Sequence, residues 1–171
     1  MPENAVILIA DDNEDDLLLI KRSLEKAGVV NPTQIARNGD EVIAYLAGKG
    51  KFANRDEYPF PALVLLDLKM PRTDGFDALR WIREQPGMKA LPVIVLTSSE
   101  NIRDVSATYE LGANSFLVKP MDFENSVEIG KFINDYWLRK NKAPSLPPSP
   151  KLSSLRPDPH RAARGQSDSK P

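Results

Sequence analysis

No cysteine occurs in the 171 residues, which excludes a disulfide framework, thiol chemistry and any cysteine-ligated metal site. The one histidine, His160, lies in a terminal Pro/Ser-rich stretch, apart from every other chemistry-bearing residue. No apolar run approaches the ~20 residues that a membrane-spanning helix needs. The opening MPENAVIL lacks the basic segment and long apolar stretch of a secretory signal. A cytoplasmic protein without a membrane partner is therefore expected. Neither sign of charge dominates, the formal balance being −1, yet this conceals a split. Residues 1–139 carry 16 Lys/Arg against 22 Asp/Glu, whereas residues 140–171 carry 7 against 2 and hold 7 of the 15 prolines. An acidic folded part is followed by a basic tail.

Within the acidic part, strand and helix patterns alternate. Strands are expected at residues 5–10 (AVILIA), 33–37 (TQIAR), 62–66 (ALVLL), 92–96 (PVIVL) and 115–118 (SFLV). Between and after them, apolar residues recur at helical spacing over 13–27, 39–47, 75–84, 101–111 and 122–138. Asn13 is placed to cap the first helix and Gly28 to stop it. Residues 48–61 read as a long polar loop. Strand–helix units repeated in this way predict an α/β fold, a doubly wound parallel sheet with helices on both faces. The first, third and fourth strands are almost purely aliphatic and belong inside, while the second and fifth are mixed and suit edges. Order 2-1-3-4-5 satisfies both conditions. Past Arg139 the periodicity stops, and residues 140–171 are expected to be disordered or partly extended. No helix-turn-helix or other DNA-binding pattern follows.

The chemistry gathers at strand ends. The first strand runs into Asp11 and Asp12, and the third into Asp67, at the carboxyl edge where parallel α/β sheets place their sites. Strands one and three are neighbours in this order, ~4.8 Å apart. Two like charges ~4 Å apart cost roughly 4 kcal/mol at an effective dielectric of 20, so protonation or a divalent cation must relieve them. Oxygen donors without His or Cys favour Mg²⁺, with a backbone carbonyl just after Asp67 to complete the set. The fourth strand ends in Thr97, a hydroxyl beside Asp67. The fifth ends in Lys119, whose four-carbon stem can bring an ammonium toward the carboxylate from two strands away. Pro120 follows, and a cis Lys119–Pro120 bond would help to aim the lysine inward. A carboxylate, a metal, a hydroxyl and a cation suit phosphoryl transfer to Asp67. Asp15 and Asp16 read as ordinary first-turn acids, and Trp81 and Trp137 as packing residues.

Asp11–Asp12, Asp67 with LKMPRTDG, Thr97–Ser98 and Lys119–Pro120 together resemble the receiver domain of two-component response regulators, over residues 5–139. The resemblance implies a five-stranded flavodoxin-like fold and phosphorylation of Asp67 by the phosphohistidine of a sensor histidine kinase. It implies Mg²⁺ held by Asp12, Asp67 and the Lys69 carbonyl, with Asp11 acting mainly through water. It further implies a switch in which Thr97 and Phe116 move together and change the face of the fourth helix, fifth strand and fifth helix. The loop at 48–61, the YELGAN stretch and Tyr136–Trp137 are similar to small stand-alone regulators that serve bacterial phytochromes.

Two other functions compete with this one. A Mg²⁺-dependent phosphatase with an aspartyl nucleophile would need a second acid two residues after Asp67, where Lys69 stands. A docking module independent of phosphorylation would act through the basic tail, which permits weak, salt-dependent binding of an acidic partner. The last helix carries more apolar residues (Phe123, Val127, Ile129, Phe132, Ile133, Tyr136, Trp137) than a stripe facing one sheet requires, which points to a homodimer or a kinase contact.

Overall fold

Short aliphatic runs bounded by capping residues set the architecture of the computed structural model, which describes residues 1–120, 123–142 (backbone only at 123 and 124) and 155–156. Along the chain come β1 (Ile7–Ala10), α1 (Glu14–Lys26), β2 (Thr33–Ala36), α2 (Gly39–Ala47), β3 (Leu63–Leu66), α3 (Gly75–Glu84), β4 (Val93–Thr97), α4 (Ile102–Glu110), β5 (Ser115–Val118) and α5 (Phe123–Phe132). The strands form one parallel sheet in the order β2-β1-β3-β4-β5, as the aliphatic grading of the strands predicts. Every residue of β1, β3 and β4 is buried, whereas β2 buries only Ala36 and β5 is half-exposed.

Side chains at the helix starts fix where the strands end. Asn13 accepts the N–H groups of Asp15 and Asp16, Asn38 that of Glu41, Asp74 that of Asp77 and Asn101 that of Arg103. Each cap satisfies an amide that the first helical turn leaves without a partner. α1, α5 and the helical continuation beyond Phe132 cover one face of the sheet, packing Leu17, Leu24, Ile133 and Trp137 on Ile7, Ile9, Leu65 and Leu96. α2 and α3 cover the other, with Val42, Leu46, Leu79 and Ile82 on Leu8, Val64 and Val95.

Two segments differ from their sequence patterns. The last helix does not run uniformly over 122–138. Beyond Phe132 it widens into a π-helical stretch, Ile133–Lys140, ended by an Asn141 N–H bond to Tyr136 O at 2.6 Å. The wider turn lets Ile133, Trp137 and Leu138 all enter the core, while Phe132 and Tyr136 stay exposed with stacked rings 5.9 Å apart. Loop 48–61 is not simply polar. Phe52 is buried and meets Tyr45 and Tyr58 in an aromatic cluster. Arg55 donates to the carbonyls of Tyr45, Leu46 and Tyr58, so the loop caps the end of α2, whose last carbonyls lack helical partners. The expected disorder of residues 140–171 falls almost wholly outside the described residues, although Leu155 and Arg156 are described and pack against the fold.

Tyr45 makes this loop sensitive to alkali. Its side chain is fully buried and its hydroxyl donates to Pro59 O at 2.8 Å. Burial pushes the phenol up to about 12, against the opposing pull of the Arg55 charge. An unfolded tyrosine loses its proton near pH ~10, so above that pH the unfolded chain is favoured and stability falls as pH rises. Denaturant titrations of the parent and Tyr45→Phe from about pH 9 to about pH 12 should show the parent losing about 2 kcal/mol more than the variant. Parallel losses in the two proteins would refute this.

Candidate functional site

The ladder that builds the sheet also aligns its acids. Ala10 sits opposite both Ala36 and Leu66. One residue further, Asp11 donates its N–H to Ala36 O and Asp67 donates its N–H to Ala10 O, both at 2.9 Å. The two carboxylates therefore leave adjacent strands side by side. Asp11 and Asp67 are 1% and 5% exposed, and Asp12 is exposed. One carboxylate oxygen from each of Asp11, Asp12 and Asp67 lies within 4.8 Å of the other two. The convergence expected from the strand order is thus present.

Lys119 reaches into this cluster. Its N–H bonds to Thr97 O at 2.8 Å, adding a rung to the β4–β5 pairing. Its Nζ lies 2.6 Å from Asp11 Oδ2, 3.0 Å from Asp67 Oδ2 and 2.9 Å from Asp16 Oδ2. The Lys119–Pro120 bond is trans, since no cis peptide bond occurs among the described residues. The isomer expected from the sequence is not needed, because the four-carbon stem spans the two strands unaided. Asp16 is a second correction. It is not an idle first-turn acid but the third carboxylate on the lysine, carried there because the first turn of α1 rises beside Asp11.

Charge in the site is unbalanced in one direction. Burial raises the Asp11 carboxyl above its ordinary range, against the neighbouring ammonium. Burial also works against the Lys119 charge, but its bonds to Asp11 and Asp16 outweigh that and hold the ammonium well above the usual lysine range. Among the described residues, Lys119 is the one cation paired with this group of Asp11, Asp12, Asp16 and Asp67. The excess negative charge and the all-oxygen donor set fit a hard divalent cation.

The remaining expected residues lie on β4, β5 and the loop after Asp67. Thr97 is fully buried, and its hydroxyl accepts a long bond from Ser99 N–H at 3.4 Å. Ser99 Oγ in turn donates to Asp104 Oδ2 at 2.5 Å. Phe116 lies opposite Val95 in register and is half-buried against the α2/α3 side of the core. Lys69 is exposed, and its N–H approaches Asp67 Oδ1 at 3.3 Å. The loop after Asp67 is pinned at three points: Gly39 N–H to Thr73 O at 2.8 Å, Thr73 Oγ1 to Asp40 Oδ1 at 2.5 Å, and Gly75 N–H to Leu68 O at 3.0 Å. At its turn Arg72 takes φ +67°, a left-handed conformation found in no other described residue except glycines.

Comparison with known proteins gives this geometry a lineage. The response regulator receiver domain matches residues 7–129. Response regulator Rcp1 of Synechocystis sp. is 34% identical over 140 residues, covering 82% of this chain and 93% of Rcp1. A crystal structure of Rcp1 in its Mn²⁺-bound form superposes with a TM-score of 0.74 at 33% identity, over 82% of this chain and 99% of that one. That of the phosphorylated cyanobacterial phytochrome response regulator RcpA gives 0.77 at 34% identity, over 83% and 99%. The chain belongs to the response regulator receiver domain family, the phosphorelay module of two-component systems.

Proposed function

We propose that Asp67 is the phosphoacceptor, that Mg²⁺ is the working cation, and that the donor is the phosphohistidine of a sensor histidine kinase. The observation that carries this is the Asp67 carboxylate itself, buried at a strand end, 3.0 Å from the Lys119 ammonium and inside a cluster of further acids. Asp11, Asp12, Asp67 and the Lys69 carbonyl would hold the cation. When bound, Mg²⁺ neutralises charge on the oxygens of the transferring group. An Asp67 oxygen attacks phosphorus, the bond from phosphorus to the donor atom breaks, and the leaving group departs with its electron pair. Lys119, already at the acceptor, balances the negative charge that arrives with the phosphoryl group. Thr97 and Phe116 would then form the switch, the hydroxyl turning toward the new oxygens and the ring inward.

In this reading the domain at 1–139 signals through contacts rather than turnover, in the cytoplasm, with 140–171 as its tail. α4, β5 and α5 supply a suitable face, for they leave Ile102, Tyr109, Val118 and Phe132 exposed. Either a kinase or a second copy could use it. The relatives' association with phytochromes supports a phytochrome-type kinase. The test is incubation with acetyl phosphate or phosphoramidate followed by intact mass. One phosphoryl group should be gained with Mg²⁺ and none in chelator. An unmodified protein at saturating donor and Mg²⁺ would overturn the proposal, and sustained hydrolysis of phosphomonoesters would favour a phosphatase.

Asp16 belongs to the same machinery. Losing its charge removes one of three anchors on the Lys119 ammonium, a pair that is partly exposed and so contributes about 1 kcal/mol or less. Asp16→Asn should slow phosphoryl acceptance about fivefold at saturating Mg²⁺, whereas Asp15→Asn, one position away, should not. Stopped-flow rates with a small-molecule donor decide it, and equal rates for the two variants would remove Asp16 from the site.

A further inference from the structure

At the end of α3 a fully buried amide meets the chain's own tail. Gln85, the residue that closes α3, has no exposed surface. Its Nε2 donates to Trp81 O at 3.1 Å, and its Oε1 accepts the Arg156 N–H at 2.7 Å across 71 residues of sequence. Beside this bond Leu155 packs on the same core cluster that holds Trp81, Met88 and Leu91. Among the described residues Arg156 is the one donor to Gln85 Oε1. A buried acceptor left without a donor keeps the full cost of its lost hydration, so a glutamine at this position calls for a backbone N–H from outside the helix.

We propose that the end of α3 is a docking site for the Leu155–Arg156 segment, occupied by the tail of the same molecule. Three features support that occupant. First, the segment is biased toward donating, because Pro157 follows Arg156, and a residue before proline is disfavoured in the helical region and pushed toward extended backbone, which leaves its N–H without a helical partner. Little conformational entropy is then lost on docking. Second, the tether is long enough. The parallel topology makes α3 and α5 both run back from the carboxyl edge, so they end at the same edge of the sheet on opposite faces. Residues 143–154 are twelve in number, and at ~3.1–3.5 Å per residue they can reach ~40 Å. Helix layers on opposite faces lie ~20 Å apart, each being ~10 Å thick. Third, Leu155 supplies the apolar contact of the segment, packing on the α2/α3 core next to the residue whose N–H bonds Gln85. Leu155 and Arg156 thus strap the chain to the α2/α3 layer, and any partner that takes this segment must first displace it from α3.

The absence of cysteine makes the test direct. A nitroxide at Lys151→Cys in the full chain should broaden the amide resonances of Gln85 and its neighbours, and the Arg156 amide should exchange about five- to tenfold more slowly than its sequence dictates, the factor that one net hydrogen bond provides. Leu155→Ser and Gln85→Met, which keeps the volume but removes the acceptor, should each abolish both signals. An unprotected Arg156 amide in the parent would overturn the proposal. So would broadening that appears only when spin-labelled chains are mixed with isotope-labelled ones and grows with concentration, for then the occupant is a second copy. Neither signal requires phosphorylation, so the strap and the phosphoacceptor stand or fall separately.

Discussion

Asp67→Asn should take up no phosphoryl group from acetyl phosphate or phosphoramidate under conditions in which the parent should take up one per chain. The variant keeps the size and hydrogen-bonding shape of the side chain. The bond that places residue 67, from its N–H to Ala10 O at 2.9 Å, belongs to the backbone and survives. What disappears is the nucleophile, because an amide oxygen carries no charge with which to form an acyl phosphate. One of three clustered carboxylates disappears with it, so if these hold Mg²⁺ as proposed, affinity for the ion should drop by ~10-fold or more. Intact mass with and without donor, alongside a Mg²⁺ titration, measures both effects. Uptake of a phosphoryl group by the variant would move the acceptor to Asp11 or Asp12. Retention of full metal affinity would take residue 67 out of the cation's shell.

The path from sequence to this site is unevenly marked. Strand order can be read because ILIA, LVLL and VIVLT are aliphatic throughout and fully buried, while TQIA and SFLV are mixed and lie at the edges. That order then forces Asp11 beside Asp67, because the ladder pairs β1 directly with β3. Asp16 is hidden for a complementary reason. A first-turn acid is favourable on any helix, so its presence says nothing about a lysine two strands from Asp67. Only the fold brings the Asp16 and Lys119 side chains, 103 residues apart in sequence, to 2.9 Å. The Lys119–Pro120 isomer is equally hidden, since proline permits both forms and tertiary context selects one. Arg55 on the end of α2 and Arg156 on Gln85 share that character. Each meets a partner that no local period marks, and each reads in the sequence as plain loop or tail.

Gly75→Ala should cripple the site without touching any of its functional side chains. A Cβ on Gly75 would lie 2.1 Å from the Asp67 carbonyl oxygen and 2.7 Å from the Leu68 Cα. The restriction is one of space rather than dihedral angle, and both obstacles are backbone atoms that cannot rotate away. Either the start of α3 or the end of β3 must shift by ~1 Å to reach ordinary contact, and overpacking of this kind costs ~3 kcal/mol. The strand end that moves is the one that aims Asp67, the proposed phosphoacceptor, and a misplacement of ~1 Å can cost ~10²-fold in rate. Gly130→Ala separates the two consequences. Its Cβ would lie 2.3 Å from Ser23 O at the α1–α5 contact, so it should be destabilised by a similar amount but accept phosphoryl groups normally once allowance is made for the folded fraction. Denaturant midpoints and donor-driven phosphorylation rates for the pair decide the matter. A Gly75→Ala protein as stable and as fast as the parent would show that the loop after Asp67 is pliant, and that the pinning of Thr73 and Gly75 does not hold the acceptor in place.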